Sequence, residues 1–280
     1  RTISYQTIVD EVRDLCLQAA FDLPPDVLAG IEAAVKSEDS PLGKSILEQC
    51  LGNAEIAARR RVPICQDTGF SVYFVELGVD VHIDGGLLED AINEGTRQGY
   101  SVGYLRKSIV RDPVFDRTNT GDNTPAVVHV DFVPGEQIKI MLAPKGGGSE
   151  NMSGVAMLKP SQGRPGIIDF VVDQVTHAGG NPCPPTIVGV GIGGTFEKVA
   201  YLAKRALMRE MGAPHPDPNY AALEQDILER LNSSGVGPQG LGGNTTAFAV
   251  HIEVFPCHIA SLPVAVNLNC HAARHAETTI

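Results

Sequence analysis

The sequence predicts an α+β fold, in which a helical N-terminal segment is followed by mixed sheets with interspersed helices. Apolar residues recur at helical spacing through residues 1–61, whereas the alternating pattern typical of strands begins at Phe70. Strands and helices then follow without the regular rhythm of a doubly wound fold. The 280 residues allow one large domain or two small ones. We expect a single domain, 1–280, made of the helical segment and an α+β core at 62–280.

Three helices are predicted in the first segment. The first carries apolar residues at helical spacing between positions 8 and 20, and the second begins near Pro25. Ser40 and the proline after it are a good N-cap and first-turn pair for the third helix. Cys16 and Cys50 lie on the apolar stripes of these helices. We therefore expect both to be core thiols.

The remaining elements alternate irregularly along the chain. The predicted strands are 70–77, 126–132, 137–142, 186–192, 247–255 and 262–268, and the predicted helices are 86–100, 166–177, 195–211 and 219–231. The Pro-Gly pair at 134–135 predicts a hairpin between the second and third strands. The strand at 262–268 is expected beside the strand at 247–255. The sequence shows no internal repeat.

Composition excludes several classes of function. The net charge of −11 and a pI near 5.1 argue against broad binding to nucleic acid or to anionic membranes. No apolar run reaches the roughly 18–20 residues of a membrane span, and the first residues do not form a signal peptide. Six cysteines without a secretory signal indicate reduced thiols rather than disulfides. These features predict an acidic cytoplasmic enzyme or binding protein.

The segment 63–69 carries the first candidate for chemistry. Cys65, Gln66 and Asp67 precede a threonine, so four polar functional groups stand in succession between a proline and a glycine. A hydrophobic core needs no such group of side chains, and loops of this kind often carry functional residues. The alternative is a polar turn that contains an incidental cysteine.

Three glycine-rich loops suggest a backbone-lined site for a small molecule. The loops at 145–151 and 237–245 expose N–H groups that can cradle a carboxylate or phosphate oxygen, although a flexible strand exit would look the same. Residues 189–194 match G-x-G-x-x-G between a strand and a helix. No second parallel strand is evident after them, and Glu210 lies within a helix. Close backbone packing or an anion contact is therefore favoured over dinucleotide binding.

Two further cysteines lie in loops of similar character. Cys183 is flanked by prolines, and Cys270 follows a strand. With Cys65 they are spaced 118 and 87 residues apart and lack CxxC spacing, so only the fold could bring them together. A shared site and three unrelated thiols both remain open at this point.

Six motifs in order resemble one protein family, and the resemblance covers nearly the whole chain. The motifs occupy residues 63–69, 145–151, 181–185, 191–195, 237–245 and 269–271. They are similar to the α subunit, or N-terminal domain, of class I iron–sulfur fumarate hydratases and the related L-tartrate dehydratases. In that family three cysteines hold a 4Fe–4S cluster, and the matching positions are Cys65, Cys183 and Cys270. Three thiolates leave one iron with an open position for the substrate hydroxyl and a carboxylate oxygen.

The resemblance also implies a reaction and a set of site residues. The reaction is the reversible hydration of fumarate to (S)-malate, and the alternative is dehydration of L-tartrate to oxaloacetate. Arg106 would bind a substrate carboxylate in bidentate fashion, joined by the Gly148 N–H and by Gln66 and His258. Asp67 and His258 are the catalytic candidates, with Asp67 moving a proton or orienting a partner residue. Without the resemblance, the arginine could be a surface helix cap and the histidine a satisfied core residue.

A partner is implied as well. Fused members of the family carry a second domain that supplies further basic residues and the proposed general base. We therefore expect this chain to be incomplete alone and to work with a separate β subunit, as an α2β2 assembly acting on a small dicarboxylate. The alternative from a different class is a non-catalytic protein with zinc at Cys257, His258, Cys270 and His271.

Overall fold

The computed structural model describes all residues, 1–280, and confirms the α+β fold. The helices are α1 (Tyr5–Phe21), α2 (Pro25–Ser37), α3 (Pro41–Arg60), α4 (Leu88–Val102), α5 (Gly147–Glu150), α6 (Gly163–Ala178), α7 (Phe196–Ala206) and α8 (Pro218–Asn232). The strands are β1 (Thr2–Ser4), β2 (Phe70–Gly78), β3 (His82–Asp84), β4 (Val127–Val133), β5 (Ile138–Lys145), β6 (Gly154–Leu158), β7 (Thr186–Gly193), β8 (Ala247–Phe255), β9 (Leu262–Asn269) and β10 (Ala276–Thr279). None of the helices combines the length and apolar character needed to cross a bilayer.

The chain divides into two compact units. The first unit contains residues 1–24, 53–147 and 274–280, and the second contains residues 25–52 and 148–273. The boundary at 52–53 falls inside α3. The expectation of one domain with a boundary at residue 61 stays a prediction.

The first unit is built on a four-stranded sheet with the order β10-β5-β2-β4. The central β2 is parallel to β4 and antiparallel to β5. Helices α1 and α4 supply apolar side chains to the same core, and the predicted stripe of α1 is buried as expected. α1 and α4 pack closely because α4 has glycines at the contact. A Cβ added to Gly95 would lie 2.6 Å from the Cβ of Val12.

The predicted hairpin between β4 and β5 is wrong, because β2 lies between these two strands. Their connection passes the end of β2 instead of turning back. There, the N–H groups of Gly78 and Asp80 donate to the carbonyls of Gln137 (2.9 Å) and Gly135 (3.0 Å). A side chain at Gly78 would come within 2.4 Å of the Gly135 carbonyl oxygen, so the crossing requires a glycine.

The second unit contains a sheet with the order β6-β9-β7-β8. Its central β7 is parallel to β8 and antiparallel to β9, so the prediction that β8 and β9 are neighbours is also wrong. Helices α6 and α8 pack on one face of this sheet, and α7 packs on the other. The two sheets share one pairing scheme, although the sequence shows no repeat.

The glycines of β7 serve the packing of α7. A Cβ on Gly189 would lie 2.1 Å from the Ala203 carbonyl oxygen, and one on Gly191 would lie 2.2 Å from the Val199 carbonyl oxygen. This close approach is the packing role expected for the G-x-G-x-x-G stretch. The prediction that no second parallel strand follows this stretch is wrong, because β8 is parallel to β7.

Candidate functional site

The segment 62–69 leaves α3 and is anchored to the first unit from its beginning. The Ile64 N–H donates to the Ala20 carbonyl (3.0 Å), and the Asn53 side-chain amide donates to the Ile64 carbonyl (2.8 Å). These bonds fix the backbone, while Cys65 remains half-buried and Gln66 is exposed. The cysteine Sγ lies 3.6 Å from the Gln66 Oε1. The loop therefore presents a thiol and an amide side by side at the surface of this unit.

The end of the same loop is held by groups from three other places in the unit. The Thr68 hydroxyl donates to the Arg106 carbonyl (2.7 Å), and the Tyr100 hydroxyl donates to the Thr68 carbonyl (2.8 Å). The Asn123 amide donates to the Gly69 carbonyl (3.1 Å). The backbone of Arg106 is thus fixed beside the loop, and its exposed side chain makes no hydrogen bond or ion pair.

Asp67 joins two of the sequence motifs within the first unit. Its carboxylate accepts hydrogen bonds from the N–H groups of Gly69 (3.1 Å) and Gly147 (2.8 Å). The second of these glycines belongs to the glycine-rich stretch 145–151. The carboxylate therefore orders both loops by accepting hydrogen bonds from their backbone N–H groups. Binding of an oxyanion by backbone N–H groups is what the glycine-rich sequence at 145–151 predicts.

Arg274 is a functional candidate that the sequence reasoning missed. Its guanidinium donates from Nη2 to the Asp67 carbonyl, and the residue is only 4% exposed. The buried Nε and Nη1 have no hydrogen-bond partner. Buried arginines are rare without a partner, so this residue stands out in the structure. Its one sequence signal is its place four residues after Cys270.

In the second unit, the loops of Cys183 and Cys270 are neighbours. The His271 N–H donates to the Cys183 carbonyl (3.2 Å), and the His271 Nδ1 lies 3.1 Å from that oxygen and from the Gln239 Nε2. Cys183 has a φ of 55°, a left-handed conformation that is uncommon outside glycine, and its side chain is exposed. A Cβ on Gly148 would lie 3.2 Å from the carbonyl oxygen of Asn181, so this glycine belongs to the same group of loops.

The third glycine-rich stretch is fixed to this group. The Gln239 N–H and side-chain amide both donate to the Pro184 carbonyl, at 2.8 and 2.9 Å. The far end of the stretch is bound by Glu38, which accepts the N–H groups of Asn244 and Thr245. Burial alone would raise the pKa of Glu38, but these N–H donors outweigh burial and lower it. Glu38 is thus a buried carboxylate with a structural role.

The thiols fall into two chemical classes. Cys16 and Cys50 are buried, as predicted, and burial raises their pKa values to about 12 and about 11. The charges of Cys270 and Cys183 further raise the pKa of Cys50. These two core thiols remain protonated at neutral pH, whereas the thiolate is the form that binds metal. Cys65, Cys183 and Cys270 lie in accessible or half-buried loops instead.

His258 is exposed rather than buried, and it follows an exposed Cys257 at the end of β8. Its Nδ1 accepts the Ala260 N–H (3.1 Å). Both residues line a cavity of about 340 Å³ whose other walls include Phe196 and Phe255. The alternative of a zinc site at Cys257, His258, Cys270 and His271 is not supported, since no three His, Cys, Asp or Glu side chains form a group that could hold a single metal ion.

Comparison with known proteins agrees with the motifs. The family described as "Fumarate hydratase (Fumerase)" matches residues 9–279. The chain belongs to this family. This fumarate hydratase family member is similar to the "Putative L(+)-tartrate dehydratase subunit alpha" of Methanocaldococcus jannaschii. The two sequences are 42% identical over 96% of each chain. The "L(+)-tartrate dehydratase subunit alpha" of Escherichia coli strain K12 is 35% identical over 92% of this chain and 87% of its own.

In this fumarate hydratase family member, the predicted site residues lie in two groups. The first unit holds Cys65, Gln66, Asp67 and Arg106 around one ordered loop. The second unit holds Gly148, Cys183 and Cys270 in neighbouring loops, together with the exposed His258. Each group combines hydrogen-bond donors with at least one thiol that is not buried.

Proposed function

We propose that the chain is the α subunit of a hydro-lyase that converts L-tartrate to oxaloacetate and water. The observation that carries this proposal is the near full-length similarity to relatives named as L(+)-tartrate dehydratase α subunits. It favours tartrate over the fumarate that the motifs first suggested. Hydration of fumarate to (S)-malate is the second candidate, supported by the description of the family itself.

We also propose that Cys65, Cys183 and Cys270 hold a 4Fe–4S cluster. Their chemistry fits this group, because they are the thiols of the motif loops and none of them is buried, whereas Cys16 and Cys50 are buried in the core. Each thiolate of a cluster binds a different iron, so the cysteines of a cluster site lie farther apart than the ligands of a single metal ion. When bound, the iron with an open position would act as a Lewis acid toward the substrate hydroxyl.

The protein groups would bind and orient the dicarboxylate. Arg106 is our candidate for bidentate binding of a carboxylate, because its backbone is fixed and its guanidinium is available. Gly148, Gln66 and His258 would supply further hydrogen bonds. Asp67 would orient the loops around the substrate or move a proton. The negative charge that develops on the substrate carboxylate during proton removal requires such donors.

The assembly is part of the same proposal. Relatives are named as α subunits, which supports a separate β subunit that completes the active site. We propose an α2β2 enzyme in which residues 1–280 act as one domain. The chain alone would then bind the cluster but would not turn over substrate.

The test of substrate is a comparison of kcat/KM for L-tartrate and (S)-malate, measured on the chain purified anaerobically together with its β subunit. We expect L-tartrate to be favoured at least about tenfold, because a site built to bind a hydroxyl discriminates against an analogue that lacks it. Preference for malate would establish the second candidate. No turnover of either substrate by cluster-loaded enzyme would refute a hydro-lyase.

The test of the cluster is the iron and sulfide content of two serine variants. We expect about four irons and four sulfides per wild-type chain. Cys65→Ser should lose most of both and lose activity, whereas Cys257→Ser, which changes an exposed thiol outside the proposed set, should retain them. Full cluster content and activity in Cys65→Ser would show that the ligand assignment is wrong.

A further inference from the structure

Strand β4 is one of the two edge strands of the sheet in the first unit, and it pairs on one side only, with β2. Its sequence, Val-Val-His-Val-Asp-Phe-Val, contains no proline and no lysine, and its pairing with β2 shows no bulge. Natural proteins use these devices to prevent an edge strand from pairing with another chain. This edge carries one charged residue, Asp131, among five apolar ones, so it has little protection against pairing with another chain.

The β8 edge of the second sheet differs from β4, because hydrogen bonds from side chains occupy its backbone groups. In β8, the Ile252 N–H donates to the buried Glu224 carboxylate (2.7 Å), and the Ile252 carbonyl accepts from Arg209 (3.3 Å). The N–H and carbonyl of Ala247 are both bonded to the Asn232 side chain, at 2.9 and 3.2 Å. Side chains of the same unit therefore cover the backbone of that edge.

The side chains of β4 are unusually apolar for an open edge. The register with β2 places Val130 opposite Val75 and Phe132 opposite Leu77, on the face of the sheet that carries the core. Val130 is nevertheless 39% exposed, and Phe132 is 75% exposed. Together they form an apolar strip at the end of the sheet.

We propose that β4 pairs with the β4 strand of a second copy of this chain, antiparallel across a two-fold axis at Val130. In this register each Val130 faces its equivalent, Val128 faces Phe132, and His129 faces Asp131. Every apolar residue thus meets an apolar residue, and each imidazole meets a carboxylate. Such self-complementarity is what an isologous dimer contact requires.

Other symmetric registers match less well. An axis at Asp131 would bring two carboxylates face to face, and an axis at His129 would place Asp131 opposite Val127. With the axis at Val130, the two four-stranded sheets would join into one eight-stranded sheet. The second copy is therefore the occupant that the sequence of the strand fits best.

This inference deepens the assembly part of the proposed function by assigning a contact between two α subunits. It does not depend on the substrate or the cluster, because its test reads the oligomeric state of the full chain. Failure of the dimer would leave the dehydratase proposal standing, and failure of the activity tests would leave the dimer standing.

The first test is sedimentation velocity and light scattering of the purified full chain. We expect a mass twice the 29.7 kDa of one chain. Val130→Lys should raise the dissociation constant of the dimer about tenfold or more, because two lysines would meet at the axis. Val102→Lys, which changes another exposed valine of the same unit, should leave it unchanged. A monomeric wild type, or a Val130→Lys variant that dimerises normally, would overturn the proposal.

The second test is a charge exchange that examines the register. His129→Asp should weaken the dimer, because it places two carboxylates opposite each other on both sides of the axis. The double variant His129→Asp with Asp131→Lys restores opposite charges in this register and should recover dimerisation. Far-UV circular dichroism checks that each variant is folded. A folded double variant that stays as weak as the single one would exclude this register.

Discussion

At the residue scale, His251 in β8 is a buried histidine whose environment opposes a positive charge. It is 2% exposed, and neither ring nitrogen has a hydrogen-bond partner. Burial, followed by the charge of Arg209, lowers its pKa from 6.5 to about 4, although the charge of Glu224 acts in the opposite direction. The folded protein therefore favours the neutral ring, and acid favours the unfolded chain.

The expected result is a loss of stability as the pH falls from 6.5 to about 4, the window between the unfolded and folded pKa values of His251. The full shift corresponds to up to about 3 kcal/mol. His251→Asn should be less stable than wild type at pH 7 but should lose less stability on acidification. Urea unfolding at pH 7 and pH 4.5 measures this. The exposed His82→Asn variant is the control and should keep the wild-type pH dependence.

At the element scale, the contact of α1 with α4 depends on glycine. Gly95 faces Val12, and a Cβ at that position would also lie 2.6 Å from the Val9 carbonyl oxygen. Gly52 in α3 has no atom within 4 Å of such a Cβ. The same substitution should therefore have opposite effects in two helices.

We expect Gly95→Ala to lower the free energy of unfolding by about 1–3 kcal/mol through overpacking. Gly52→Ala should raise it by about 0.5–1 kcal/mol, because alanine favours a helix and space is available. Thermal and urea unfolding of the two variants would measure both effects. Equal stability of the two variants would contradict the close packing of α1 and α4.

The elements themselves were largely predictable, but their pairing was not. The stripes of α1 and the Ser40 cap of α3 follow from local spacing, and the serine hydroxyl does accept the Gly43 N–H (3.2 Å). Strand order depends on where each connection runs, which Pro134 and Gly135 do not encode. The motif loops identified Cys65 and Asp67, whereas Arg274 is isolated in the sequence and gains its contact only through the fold.

At the scale of the whole molecule, the first unit is assembled from three separate stretches of the chain. Its sheet ends with β10, which pairs with β5, and Ala276 of this strand is 4% exposed in the core. The Thr278 hydroxyl donates to Glu11 of α1 (2.8 Å). Residues 274–280 are therefore an integral part of this unit rather than a tail.

A charge placed in β10 should accordingly destabilise the unit. We expect Ala276→Asp to cost about 2–4 kcal/mol, because it buries a carboxylate without a partner. Glu277→Gln removes an exposed ion pair with Lys139 (3.0 Å) and should cost less than about 1 kcal/mol. Denaturant titration compares the two. An Ala276→Asp variant as stable as Glu277→Gln would show that β10 contributes little.

The discontinuous first unit also has a consequence for biosynthesis. A ribosome completes β5 long before it reaches β10, because the whole stretch 148–273 is translated in between. At normal translation speeds this delay is on the order of ten seconds, during which the β5 edge lacks its native neighbour. The nascent chain thus carries an unfinished sheet while the second unit is being made. Chaperone binding to stalled nascent chains should be strongest in that interval.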